Sequence, residues 1–358
     1  MKVIAFVTVA VSVLLAQAAH AAPLTADAIN AAEWSQPRGK QGLNPTVLKA
    51  QVLLGRAGFS PGEIDARGGE NFSKALAAFQ RRYGLEVSAK LDQATWAKLT
   101  EASPEPVVTE YEIRAADVKG PFVEKIPKDF ERMAELERLS YRSPREALAE
   151  KFHMSQDLLK ALNPKTALDE PGATIVVANV AREPDRRGRK DPNNGARSDS
   201  NNGARSDPNT GARAEHRASG AKPARIEVNK SDRSVQVFAE DGNLIAYYPA
   251  SIGSREKPAP SGMFEVRAIA QNPTYRYNPE YAFKGQKAKE PVEIAPGPNN
   301  PVGLVWIALS LEGYGIHGTP DPGKVSKTYS NGCVRLTNWD ALALAKVARK
   351  GMPVEFLD

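Results

Sequence analysis

The sequence predicts a multidomain chain: a small α-helical bundle, a small α+β module, and a mostly β C-terminal domain built as a sandwich or partial barrel. Three observations carry this. Apolar residues recur at helical spacing between positions 44 and 100, they alternate with period two from Ile226 onward, and residues 181–224 are nearly free of large apolar side chains. A segment that cannot bury a core separates two regions that can.

Lys2, an apolar run over residues 3–16, and Ala19-His20-Ala21 before Ala22-Pro23 match the charged, hydrophobic and small-residue regions of a secretory signal. Residues 1–21 are therefore expected to be cleaved and the mature protein exported to the periplasm. The apolar run falls short of the roughly 20 residues that span a bilayer. Membrane contact is expected only through this segment, before cleavage.

Residues 40–102 read as three short helices. Val47, Leu48 and Val52 form one apolar stripe, Phe72, Leu76, Phe79 and Tyr83 a second, and Trp96 with Leu99 a third. Turn formers separate them, Ser60-Pro61-Gly62 and Arg67-Gly68-Gly69. These aromatics read as core rather than as a cofactor box. In residues 110–180, Ser143-Pro144 opens a helix over 146–152, Ser155 caps a second helix ending at Asn163-Pro164, and Gly172 to Val177 reads as a closing strand. His153 reads as a packing or capping residue, because no second metal-type ligand stands at suitable spacing.

Residues 181–224 contain an eight-residue repeat starting at Asp191, Asp199 and Asp207, and read as a disordered basic linker. The chain's formal charge of +6 belongs mainly here, since residues 181–225 hold eleven Lys or Arg against six Asp or Glu. The charge therefore gives no reason to expect a nucleic-acid partner. Random-coil scaling would let such a tether separate its flanking domains by about 35 Å.

In residues 225–358, the strand patterns at 234–238 and 244–248 flank Asp241-Gly242, a hairpin turn signal. Further strands are expected at 263–269, 302–310 and 353–357, and a helix at 338–349. Within this domain stand the chain's single cysteine, Cys333, and, sixteen positions before it, His317. His20, His153 and His216 fall elsewhere, which leaves His317 as the only imidazole expected in the domain.

Free cysteine is usually a small buried hydrophobe. A solitary thiol in an oxidising compartment, preceded by Gly332 and flanked by Ser330, Asn331 and Arg335, instead points to a nucleophile served by a nearby base. The Ser330-Asn331-Gly332 run reads as a tight turn that would leave the N–H groups of Gly332 and Cys333 free for an oxyanion. One cysteine and one histidine are too few for a zinc site, and no phosphate-cradling or dinucleotide glycine loop is present, so neither metal nor cofactor is expected. Asp340 and Glu312 read as solvated surface charges.

The blocks Ile226 to Phe238, Ala250 to Gly253 with Pro258 to Val266, Pro296 to Gly303, and Gly315-Ile316-His317-Gly318-Thr319 running to Ser330 to Leu336 together resemble the catalytic domain of the L,D-transpeptidases over essentially the whole C-terminal domain. Residues 54–65, 75–80 and 91–96 resemble the peptidoglycan-binding three-helix domain, with Ala66 where that family usually has glycine. The 110–180 segment resembles a divergent LysM module. The resemblance implies acyl transfer on cell-wall peptide stems. Cys333 would attack the L-centre carbonyl of the third residue of a tetrapeptide and expel D-alanine, with His317 as base and acid.

The resemblance also implies that the Gly318 carbonyl orients His317 and that backbone amides near Gly332 and Cys333 hold the oxyanion. It implies that Ser330 shapes the turn, that Arg335 either holds that turn or meets a substrate carboxylate, and that Tyr314 meets substrate. The implied partners are peptidoglycan stems and glycan, with a second stem, an outer-membrane protein or water as acyl acceptor. The family usually has histidine where this chain has Asn331, which can exchange hydrogen bonds but cannot titrate. A sortase-like thiol transpeptidase, an L,D-carboxypeptidase and a non-catalytic wall-binding protein are the competing readings.

Overall fold

The computed structural model describes residues 24–35, 42–180, 221–254, 256–281, 288–330 and 332–358. The signal-like segment 1–21, nearly all of the repeat tract 181–224, and Asn331 lie outside the described residues.

After the short α1 (Ala26–Asn30) come α2 (Pro45–Arg56), α3 (Glu70–Arg82) and α4 (Gln93–Ala102), the three expected helices. Asn44 starts α2 by accepting from the N–H groups of Thr46 and Val47, with Pro45 in the first turn where its missing N–H costs nothing. Asp92 caps α4 through Thr95 N–H. Leu48, Leu53, Leu76, Phe79 and Leu99 are fully buried between them. Tyr83, which the periodicity puts on the core stripe, sits at the end of α3 and is 38% exposed.

Ala66 takes a left-handed backbone at φ +59°, and its methyl is completely buried. Left-handed backbone costs a non-glycine residue roughly 1–2 kcal/mol, whereas burying a methyl returns about 0.8 kcal/mol. Glycine also loses more chain entropy on folding. The terms nearly cancel, so Ala66→Gly is expected to change unfolding free energy by less than about 1 kcal/mol in a urea titration.

The middle module runs β1 (Val108–Glu112), α5 (Ala115–Val118), α6 (Phe130–Ala134), α7 (Pro144–Lys151), α8 (Gln156–Leu162) and β2 (Thr174–Ala178). Ser143 and Ser155 cap α7 and α8 as expected. β1 and β2 pair antiparallel, closing the module around Tyr111, Phe152, Leu158 and Val177. The segment around α6 leaves this core. Phe130 packs edge-on against Tyr275 and Tyr277, and Leu139 exchanges backbone hydrogen bonds with Pro296 and Asn299.

The C-terminal domain consists of β3 (Pro223–Asn229), β4 (Ser234–Ala239), β5 (Leu244–Pro249), β6 (Ser251–Ile252), β7 (Gly262–Gln271), β8 (Tyr275–Tyr277), β9 (Val292–Ile294), β10 (Val305–Leu309), β11 (Gly315–His317), β12 (Val334–Arg335) and β13 (Pro353–Leu357), with α9 (Asn338–Val347) before the last strand. Among the described residues nine strands form one sheet, ordered β5-β4-β3-β13-β7-β10-β11-β12-β6. Its two edge strands, β5 and β6, are consecutive in the chain with only Ala250 between them. The sheet must therefore curl until its edges nearly meet, which makes it a partial barrel. Val228, Val237, Val305, Ile316, Val334 and Val354 fill the inside.

The modules are docked rather than ranging on a tether. Phe59 bridges Tyr247, and Ser60 N–H donates to the Tyr247 carbonyl while Tyr247 N–H donates to Gly58. Leu244 and Tyr247 thereby join the apolar core of the helical bundle and middle module. This corrects the separation expected from tether length: buried contacts between the described modules, not the 44 intervening residues, set their spacing. Asp340, read as a solvated charge, is likewise buried and accepts from Ser60 Oγ at 2.9 Å.

Candidate active site

β11 and β12 run parallel and in register, pairing Ile316 with Val334 and His317 with Arg335. Ile316 and Val334 point into the barrel core. Successive side chains alternate faces, so His317 and Arg335 share the opposite face, and Cys333, one residue before β12, shares it too. Cys333 stands next to Gly315 and diagonally across from His317. The long interval in sequence between base and thiol thus collapses into neighbouring strand positions.

Several glycines make this arrangement possible. A Cβ on Gly315 would come within 2.6 Å of the Trp306 ring, so the bare position lets Trp306 lie beside the strand. Trp306 pairs with His317 across β10–β11 and stacks on its ring at 5.5 Å and 23°. Sequence reasoning missed Trp306. The alternation Val305-Trp306-Ile307-Ala308-Leu309, with its odd members facing the core, contained the signal that Trp306 faces the other way.

His317 is buried, and its Nδ1 lies 2.7 Å from the Gly318 carbonyl. A carbonyl can only accept, so Nδ1 carries the proton and Nε2 keeps its lone pair. Burial, and then the nearby Arg335 guanidinium, hold the imidazole down to about 3. The Cys333 thiol is pushed up by burial, partly offset by a Gly315 backbone hydrogen bond and by Arg335. Both shifts favour a neutral thiol beside a neutral imidazole at rest. The thiol's own hydrogen bond is a long one, 3.6 Å to Gly313 O.

The turn before Cys333 is tied by Ser330, whose hydroxyl donates to the Cys333 carbonyl and accepts from Gly332 N–H at 3.3 Å. The Gly332 N–H, expected to be free for an oxyanion, is thus engaged, and its φ of +113° is a value suited to glycine. The Tyr314 ring lies against Gly332, where a Cβ would meet it at 3.4 Å. Arg335 has no ion-pair partner among the described residues, and its buried Nε has no hydrogen bond. A half-buried guanidinium beside the thiol, its Nε unbonded, leaves donors available to a carboxylate. No group of three His, Cys, Asp or Glu among the described residues is arranged to hold a metal ion.

His317 is not the only imidazole touching the domain. His153 of the middle module stacks on Trp339 of α9 at 5.0 Å and 8°. It lies outside the Cys333 cluster and makes a packing contact.

Residues 223–356 match the L,D-transpeptidase catalytic domain family, and residues 44–99 match a peptidoglycan binding domain family. A Bacillus subtilis protein named as the L,D-transpeptidase YqjB is 32% identical over 136 residues, which cover 37% of this chain and 69% of YqjB. The chain belongs to the L,D-transpeptidase family. A Bacillus licheniformis family member, named as the L,D-transpeptidase YkuD, is 30% identical over 132 residues, 37% of this chain and 64% of its own length. The probable L,D-transpeptidase ErfK/SrfK of Escherichia coli is 30% identical over 138 residues, 37% of this chain and 44% of its own. The chain therefore spans less than two thirds of the length of these last two relatives. The solved L,D-transpeptidase from Mycobacterium smegmatis aligns over 38% of this chain and 59% of its own at 19% identity, with a TM-score of 0.31.

Proposed function

We propose that this protein is a cysteine acyltransferase of the bacterial cell wall, an L,D-transpeptidase acting on peptidoglycan peptide stems in the periplasm. The observation that carries the reading is the shared sheet face of Cys333, His317 and Arg335. As the thiol attacks the carbonyl of the third stem residue, Nε2 of His317 takes its proton and the Sγ–C bond forms. The tetrahedral oxyanion collapses, the bond to D-alanine breaks, and the imidazolium returns its proton to the departing amine. A thioester remains. An acceptor amine then attacks it, His317 takes the amine's proton, and the thiol leaves with a proton from the imidazolium.

Starting from neutral thiol and imidazole, proton transfer accompanies attack, and the Nδ1–H bond to Gly318 steadies the ring as it becomes charged. The N–H of Cys333 is the backbone donor offered to the oxyanion, and Arg335 and Tyr314 face the substrate. Asn331, outside the described residues, supplies no base in this scheme. The helical bundle and the LysM-like middle module, whose helices lie between its two paired strands, would hold glycan or stems, and residues 1–21 would direct export.

The test is mass spectrometry of the mature protein incubated with disaccharide-tetrapeptide. The expected result is D-alanine release, a transient protein adduct and a cross-linked dimer with a 3→3 bond. A tripeptide product alone would assign water as acceptor and make the protein an L,D-carboxypeptidase. No change in the tetrapeptide would favour a non-catalytic wall-binding protein. An outer-membrane protein carrying an accessible lysine, added as competing amine, distinguishes attachment from cross-linking.

A further inference from the structure

Three consecutive residues at the start of α9, immediately downstream of the Cys333 strand, are each held by the N-terminal half. Glu150 Oε1 accepts from Asn338 Nδ2 at 2.8 Å, His153 stacks on Trp339, and Ser60 Oγ donates to Asp340. Of these contacts, only the first continues to the catalytic histidine. Asn338 Oδ1 accepts from Leu304 N–H at 3.0 Å, while Nδ2 also donates to Pro298 O at 3.1 Å. The one donor and two acceptors around the amide fix which end is which.

Asn338 is wedged against two glycines. A Cβ on Gly303 would meet its Oδ1 at 2.0 Å, and one on Gly318 at 2.2 Å. Gly318 is the residue whose carbonyl holds His317 Nδ1. Any rotation of the Asn338 amide therefore shifts the corner against which the imidazole is set. We infer that Glu150 of the middle module is a positioning residue for the active site, acting through Asn338 and the Gly303–Gly318 corner to hold His317 in its productive orientation. The N-terminal half is on this basis a structural part of the catalytic centre as well as a wall-binding appendage. The inference rests on His317 serving as the base for Cys333.

The chemistry at Glu150 suits a fixed, uncharged contact. Tyr141 OH donates to the same Oε1 at 3.2 Å, and burial, with Glu146 nearby, pushes the carboxyl up to about 8. At neutral pH it is mainly a protonated acid, for which glutamine is a close substitute.

The experiment measures iodoacetamide alkylation of Cys333 against pH in the full chain, which needs no cell-wall substrate and so stands apart from the acyl-transfer assay. Glu150→Met fills the volume and removes the acceptor. It is expected to slow alkylation roughly tenfold at pH 7, below the thiol's own titration, because the neutral thiol then reacts without a base in place to take its proton, in the same direction as His317→Gln. Glu150→Gln is expected to restore the profile to within about twofold. Ser60→Ala, which removes a contact to the same helical turn without touching Asn338, is expected to leave it unchanged. A wild-type profile for a folded Glu150→Met, failure of Glu150→Gln to rescue, or an equal loss in Ser60→Ala would each overturn the inference. If Glu150→Met does not fold, the pair Tyr141→Phe with Glu150→Met, which leaves no orphaned hydroxyl, takes its place with the same expectations.

Discussion

Cys333→Ala is expected to abolish the covalent adduct and lower acyl transfer by on the order of 10⁴-fold or more, with little change in thermal stability. The stability half of this expectation follows from how little the thiol holds. Its hydrogen bond to Gly313 O is long at 3.6 Å, the side chain is only partly buried, and the turn around it is tied by Ser330 and by backbone pairing instead. The activity half follows from Cys333 being the only cysteine in the sequence. His317→Gln should cost less, about 10²–10⁴-fold, because it removes proton transfer while a thiol remains. The double variant should be no worse than Cys333→Ala alone, since residues that act as one unit are not additive. Turnover and intact-protein mass of the three variants, read beside their melting curves, check this. A folded Cys333→Ala that still releases D-alanine at the wild-type rate would remove the thiol from the mechanism.

Much of this site could be read from the chain because strand alternation is a strict rule. Val334 in the core obliges Cys333 and Arg335 to share the other face, and a domain with one thiol and one expected imidazole offers few other pairings. The three helices of the bundle were legible for a similar reason: their apolar stripes repeat at 3.6, with turn formers such as Ser60-Pro61-Gly62 between them. β1 was less visible, because Val108-Thr109-Glu110-Tyr111-Glu112 carries only two buried residues, too few to stand out as a period.

Docking of the modules left no periodic trace at all. Ser60 and Asp340 are 280 positions apart, and Glu150 and Asn338 are 188 apart. Each such contact is a pair of polar side chains of kinds that are ordinarily solvated, so Asp340 reads as a surface charge until its partner is known. The repeat tract invited the opposite inference, because linker length bounds how far two domains can separate and says nothing about whether their surfaces fit.

That docking should make stability fall as the solution turns alkaline. Burial raises the carboxyls of Glu63 to about 7, Glu150 to about 8 and Asp340 to about 7, and all three lie where the N-terminal modules meet the catalytic domain. In the unfolded chain they titrate near 4, so above that pH the folded state binds more protons and stability declines until each folded value is passed. His153 and His317, held down to about 3 chiefly by burial, work the other way. Their folded forms bind fewer protons than the unfolded chain between about pH 3 and 6.5, and over that range they make stability rise with pH. Three carboxyls outweigh two imidazoles by about one proton, so between about pH 4.5 and 6.5 the slopes cancel only in part and stability declines gently, by roughly 1.4 kcal/mol per pH unit. From about pH 6.5 to 8 only the carboxyls remain, and their combined loss is on the order of 3 kcal/mol. Urea titrations at pH 6.5 and pH 8 measure it. Asp340→Asn should flatten the decline by a share on the order of 0.7 kcal/mol, and Glu150→Gln by more, on the order of 2 kcal/mol, because its carboxyl stays protonated furthest into the alkaline range. Stability that is level or rising between those two pH values would mean that these carboxyls are already ionised in the folded protein, and that water reaches the seam between the modules.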